Sequence, residues 1–138
     1  MNELTSDSSK AFDGLFQVKC KLEKKGRFNY VSWTDAWTEV KKRYPGSNVK
    51  VYTREDGYPA FIHKTHGGFV KVGVIIDGIE HVEFYPILDH YNKTISSELI
   101  NVFDINNAIK RGMVKAIAMH GLGLYVYAGE DLPQEVKE

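Results

Sequence analysis

Basic side chains concentrate in two short stretches of this 138-residue chain, although its formal net charge is zero. Residues 19–27, KCKLEKKGR, hold five of them against a single Glu23. Residues 105–120 hold three more and no acidic residue: Lys110, Arg111 and Lys115. Because Arg and Lys are the usual protein partners of phosphate, these stretches are candidates for a polyanion-binding surface. The alternative is that the cations are solvated or paired within the protein.

The second stretch has a helical pattern that arranges its cations in a row. Apolar residues recur there with a helical period, which predicts a helix over 105–120. One row of that helix, at spacing i, i+4 and i+8, holds Asn107, Arg111 and Lys115. Lys110 lies about 100° from Arg111 and therefore off this row. Since stacked cations repel by a few tenths of a kcal/mol, a partner outside the helix is expected, either a carboxylate such as Glu80 or Glu83 or a ligand phosphate.

The first basic stretch runs into aromatic residues. The segment 23–33, EKKGRFNYVSW, contains both cations and aromatic rings. The cations are Lys24, Lys25 and Arg27, and the aromatic residues are Phe28, Tyr30 and Trp33. Charge that follows a backbone and rings that stack on bases are what a single-strand binding surface needs. The same residues also suit an ordinary turn whose aromatics belong to the core.

Other chemistry has weaker support. Asp35, Glu39 and Lys41 faintly resemble the acid-x-lysine pattern of metal-dependent nucleases, but that pattern belongs on a strand and here it falls on a predicted helix. His63 and His66 are three residues apart near a turn and lack a third ligand, so we expect surface residues and no metal site. The chain has no phosphate-binding G-x-x-x-x-G-K-[ST] loop, and no set of catalytic residues or cofactor site is predicted.

The predicted elements give an α+β chain. Trp33, Trp37, Val40 and Tyr44 recur with helical spacing, with Ser32 as N-cap. Alternating strands follow, including a hairpin at Asp77-Gly78, then a loop over 89–103 and the second helix with Asp104 as its cap. This order, helix then strands then helix, predicts an antiparallel sheet of three to five strands flanked by helices. The second helix is apolar on two sides, so a further segment or another subunit must cover it.

Composition indicates one globular domain. Hydrophobic residues make up 43% and charged residues 26%, values that argue against disordered or membrane classes. We expect a mobile tail at 1–10, a single domain at 11–133 and an acidic tail at 134–138. The polar N-terminus and the lack of a run of about 18 apolar residues predict a cytoplasmic protein.

Two long segments carry a resemblance to a known family. DINNAIKRGMVKAIAMHGLGLYVYAGEDLP and YVSWTDAWTEVKKRYPG together resemble the Sak-type single-strand annealing proteins of bacteriophages, and the similarity covers roughly residues 15–133. That family is related in fold to the eukaryotic Rad-fifty-two annealing protein. The resemblance implies a curved antiparallel sheet flanked by helices, assembly into rings or filaments, and single-stranded DNA held in a basic groove. It implies phage recombination in the host bacterial cytoplasm without ATP or enzymatic chemistry.

The resemblance also assigns roles to residues. Lys115 falls on a position that contacts the DNA backbone, Arg111 extends that row, and Tyr30 matches an aromatic at the groove wall. The eukaryotic relatives carry more cations on this helix, where Val114 and Ala118 stand here, so Lys24, Lys25 and Arg27 are expected to supplement the groove together with Lys110. A host single-strand-binding protein is a further expected partner, through the acidic end GEDLPQEVKE. A metal-dependent phage nuclease using Asp35, Glu39 and Lys41, and a purely structural oligomer, are the alternatives.

Overall fold

The computed structural model describes residues 2–25 and 28–128, with side chains described from residue 9 and except at 25–28. Its helices are α1 (Asn2–Phe16), α2 (Trp33–Arg43) and α3 (Val102–Met119), with short 3-10 turns at Ser97–Leu99 and Leu124–Tyr127. Its strands are β1 (Leu22–Lys25), β2 (Phe28–Val31), β3 (Asn48–Val51), β4 (Phe61–His63), β5 (Gly67–Ile76) and β6 (Ile79–Pro86). The predicted α+β class with helix, strands and helix in that order is confirmed.

The strands form two antiparallel sheets. β1 and β2 make a two-stranded hairpin, and β5 is the central strand of a four-stranded sheet. β6 pairs with β5 along nearly its whole length, so β3 and β4 divide the other edge of β5 between them. The predicted hairpin at Asp77-Gly78 is confirmed, because Ile76 faces Ile79 and both turn residues have positive φ, 52° and 79°. Two central residues with positive φ are typical of the tight turn that matches strand twist.

Helix α3 starts with a reciprocal cap. The Asn101 side chain accepts a hydrogen bond from the Asp104 backbone N–H, and the Asp104 carboxylate accepts one from the Asn101 backbone N–H. The N-cap is therefore Asn101, and the prediction of Asp104 was wrong by three residues. Asp104 occupies the other half of the capping box, so both residues satisfy backbone donors that the helix leaves unpaired.

The core lies between the sheet and α3, and a second layer covers α3 from outside. Val70, Val72 and Val74 of β5 are fully buried under the helix. On the other side of α3, Val114, Ile117 and Ala118 are also buried, with α2 and the turn at Leu124–Tyr127 in contact with the helix. The apolar second face is thus covered by the chain's own segments, which decides between the two alternatives that the sequence left open.

Helix α2 agrees with the prediction, whereas α1 was not predicted. Ser32 is the N-cap of α2, and Trp37 and Tyr44 pack against the core. Helix α1 begins at Asn2, within the segment whose mobility stays a prediction. The segment is rich in Ser, Asp and Thr, which are poor helix formers; its end docks through Leu15, which is 1% exposed. Packing, not propensity, accounts for this helix.

One consequence of the core is a pH-dependent stability. His120 is buried, with Nε2 2.8 Å from the Val74 carbonyl oxygen and its ring edge-on to His81. Burial lowers the pKa of His120, and the charge of His81 lowers it further, against a smaller opposing effect of the Val74 hydrogen bond. The unfolded state therefore binds protons more readily, so stability falls as the pH drops below the ordinary histidine pKa towards the lower folded value.

We expect the urea midpoint of the wild-type protein to decrease between pH 8 and pH 5, and this decrease to be smaller in His120→Gln, whose amide does not titrate. Equilibrium urea unfolding at several pH values measures the difference. Parallel pH profiles for the two proteins would contradict the assignment to His120.

Candidate nucleic-acid interface

Arg111 is held by two neutral partners from different parts of the chain. Its guanidinium donates to Oδ1 of Asn92 at 2.8 Å and lies over the ring of Tyr30, 4.5 Å from its centroid. The amide nitrogen of Asn92 in turn donates to the Tyr30 hydroxyl at 2.9 Å. These three half-buried side chains join α3, β2 and the loop after β6, and we call them the Arg111 cluster.

The other two cations of α3 also lie over aromatic rings. The ammonium of Lys110 is 4.4 Å from the ring centroid of Trp33, the first residue of α2, and that of Lys115 is 5.5 Å from the ring of Tyr127. Lys110 lies about 100° around the helix from Arg111, as predicted. Even so, it reaches the same β2 to α2 segment as Arg111. Residues Tyr30 to Trp33 and the middle of α3 therefore form one continuous cationic and aromatic surface.

No carboxylate within the described part of the chain forms an ion pair with Lys110 or Arg111. Glu80, one of the carboxylates considered for this role, accepts a hydrogen bond from the Tyr52 hydroxyl at 2.7 Å. A cation over a ring gains about 0.5–1 kcal/mol at an exposed site and keeps its charge. Both cations remain partly exposed, so their charge is accessible to an anion.

The first basic stretch forms the β1–β2 hairpin. Lys24 lies in β1 opposite Asn29 and is exposed, and Tyr30 lies opposite Glu23. Through Tyr30 the hairpin adjoins the Arg111 cluster. Successive side chains of a strand point to opposite faces, so Glu23 shares the face of Tyr30 and Lys24 lies on the other face of the hairpin. Arg27 and the side chain of Lys25, both predicted as DNA contacts, lie outside the described residues.

The nuclease-like residues have other partners, and Lys41 lies on a different side of α2 from the two acids. Asp35 accepts a hydrogen bond from the Lys21 backbone N–H, and Glu39 pairs with Arg43 at 2.6 Å. The ammonium of Lys41 donates to the Ser47 carbonyl beyond the helix end. Lys41 lies about 200° around α2 from Glu39. In the described ranges, no three His, Cys, Asp or Glu side chains are grouped as metal ligands would be.

His63 and His66 are exposed, as predicted. Their rings stack with centroids 4.4 Å apart, and Nδ1 of His63 accepts hydrogen bonds from the backbone N–H groups of Thr65 and His66. His63 thus stabilises the β4–β5 turn.

Asn92 is a residue of this site that no sequence pattern predicted. It has a positive φ of 61°, and its side chain bridges Tyr30 and Arg111. The local signal was present, since Asp89 and Asn92 are typical turn residues. Its bridging role depends on contacts 62 and 19 residues away along the chain, which local patterns do not report.

We expect Asn92→Gly to lower the free energy of unfolding by about 1–2 kcal/mol, because two hydrogen bonds are lost while glycine tolerates the positive φ. Tyr30→Phe, which removes only the hydroxyl, should cost less. Urea unfolding of both variants measures these effects. A wild-type stability for Asn92→Gly would mean that the bridge does not contribute.

No curated protein and no solved structure matched the chain. Of the helices in the described residues, none has the length and apolar character needed to cross a membrane. The profile of the Sak single strand annealing protein family matches residues 10–138, nearly the whole chain, which confirms the resemblance seen in the sequence. The chain therefore belongs to the Sak single strand annealing protein family.

Proposed function

We propose that this protein binds single-stranded DNA along the surface formed by α3 and the β1 to α2 segment, and accelerates strand annealing without ATP. Its family supports a role in single-strand annealing during phage recombination and is not an enzyme family in the usual sense. The observation that carries the proposal is the Arg111 cluster, in which a cation is positioned by an amide and a ring and keeps its charge for a ligand.

The surface suits a single strand better than a compact anion. Its cations are spread along α3, at Lys110, Arg111 and Lys115. Lys24, exposed on the hairpin face opposite Tyr30, is proposed as a further phosphate contact. Trp33, 39% exposed, and Tyr30 supply rings beside the α3 cations. Cations can neutralise successive phosphates while rings contact bases. Lys25 and Arg27 are proposed as further phosphate contacts from the same hairpin.

The protein need not catalyse a covalent step. Base pairing supplies the free energy of annealing, and the protein neutralises charge and orders the strand before it meets its complement. Electrostatic repulsion between two polyanions is the main obstacle to pairing, so neutralising one of them should speed encounter.

A ring or filament is proposed as the working form in the host cytoplasm, from the family resemblance. The buried second face of α3 gives this no support. Large exposed apolar side chains at the start of α3 do: Leu99, Val102 and Phe103 are 69%, 76% and 70% exposed, which is more than an isolated surface usually leaves open. A host single-strand-binding protein is proposed to contact residues 129–138.

We expect the double variant Arg111→Ala, Lys115→Ala to bind single-stranded DNA more weakly than the wild-type protein. Losing two phosphate contacts should also reduce the slope of log affinity against log salt by about 1.4. Fluorescence anisotropy with a labelled oligonucleotide, from low to moderate salt, measures both quantities. Lys50→Ala, Lys64→Ala removes the same charge elsewhere on the protein and should change the slope much less. Unaltered affinity in the first variant, with unchanged circular dichroism, would remove this site assignment.

Annealing and nuclease activity make opposite predictions for the substrate. We expect complementary labelled strands to form duplex in the presence of the protein and no nucleotide, and both strands to keep their full length with magnesium or manganese added. Denaturing gel electrophoresis of the same reactions checks the length. Shortened strands that disappear in Glu39→Gln would favour the nuclease instead.

A further inference from the structure

Tyr91 is a large aromatic side chain that the fold leaves open. It is 71% exposed, compared with 43% for Tyr125, and it lies in the loop between β6 and α3. The ring of its neighbour His90 lies 4.0 Å away, centroid to centroid, and tilted. Neither side chain belongs to the core, so the fold alone gives no reason for an aromatic at this position.

The turn that carries Tyr91 is rigid. Leu88 and Thr94 form a β-bridge at its base, and the Asp89 backbone N–H donates to the Lys93 carbonyl at 2.8 Å. The Asp89 carboxylate accepts the backbone N–H groups of Tyr91 and Lys93 at 2.8 and 3.0 Å. These hydrogen bonds, led by that of Lys93, lower the pKa of Asp89, so its carboxylate remains charged well into the acidic range.

The same turn is fastened to the cationic surface. Asn92, the residue after Tyr91, bridges Arg111 and Tyr30. Because neighbouring Cα atoms are about 3.8 Å apart, the bridge keeps the Tyr91 backbone close to the Arg111 guanidinium. A phosphate at Arg111 would therefore bring an adjacent base within reach of the Tyr91 ring.

We propose that Tyr91 is a base-stacking residue of the single-strand surface, with a nucleobase on its open ring face while Arg111 holds the neighbouring phosphate. This inference rests on the proposed function and adds a contact that neither the sequence pattern nor the family assignment indicates. His90 supports the ring from the side. Lys93, exposed on the same turn, adds a cation next to the stack.

The physical features of the turn favour a base over a protein partner. The turn contains one cation, Lys93, and is tied to a second, Arg111, through Asn92. A polyanion with aromatic bases matches an exposed ring in such a cationic setting. Since the turn is already ordered by its own hydrogen bonds, little conformational entropy is lost when the ring is covered. In a flexible loop, the loss of conformational entropy on binding would offset more of the stacking free energy.

The test compares an intact oligothymidylate with an abasic oligonucleotide of the same length and phosphate number, by fluorescence anisotropy at one salt concentration. Wild-type protein should bind the intact strand more tightly. Tyr91→Ala should lose about fivefold or more on the intact strand, and much less on the abasic strand, which offers no base to stack. Tyr91→Phe keeps the ring and should bind as the wild type does. Phe84→Ala, which removes another exposed aromatic from the opposite face of the sheet, is the matched control.

Five results would overturn the inference. One is that Tyr91→Ala binds the intact strand with wild-type affinity. Another is that Phe84→Ala loses as much affinity for the intact strand as Tyr91→Ala does. An equal loss on both strands, with a smaller particle by light scattering, would identify Tyr91 as a contact between subunits. Equal wild-type binding of both strands would exclude base stacking and leave the proposed function intact, whereas no binding of either strand would refute both.

Discussion

The close contact of α3 with the sheet at Gly112 determines where the cations lie. A Cβ atom at this position would stand 3.2 Å from the Tyr85 Cβ and 3.3 Å from the Val72 Cγ2, so the missing side chain lets the helix approach the β5–β6 pair. Arg111 is the preceding residue, about 100° around the helix. With Gly112 against the sheet, Arg111 is turned to the side, where β2 and the loop after β6 meet it.

That placement explains why neutral groups hold the cations. At the edge of the α3 contact the side chains face Tyr30, Asn92 and Trp33, which offer ring faces and one amide oxygen. A carboxylate here would pair with Arg111 and would have to be displaced by any incoming phosphate, at the cost of leaving one charge without a partner. Zero net charge does not conflict with this arrangement, because carboxylates that balance the cations pair at other places, in α2 and in the β3–β4 loop.

The sequence predicted the elements whose signals are local. The apolar period of α2, the Asp77-Gly78 turn and the period of α3 each need only neighbouring residues, and all three are confirmed.

Helix α1 was missed because its composition disfavours a helix and only docking of Leu15 on the core reveals it. The α3 cap was misplaced because Asn101 and Asp104 are both good caps and their reciprocal bonding decides the role of each. Family membership came from long matching segments, whereas the Asn92 bridge needed coordinates, since it joins β2, a loop and α3.

The contact between a cation and an aromatic ring also affects how fast a strand bound at the proposed site would dissociate. At the proposed site, Lys110 or Arg111 could move from an aromatic face to a phosphate without first breaking an ion pair, and the return step would restore an attraction of similar size. Loading and discharge of a strand can then both be rapid, with no deep kinetic trap at the site. For a protein that must surrender a finished duplex, fast discharge matters as much as capture.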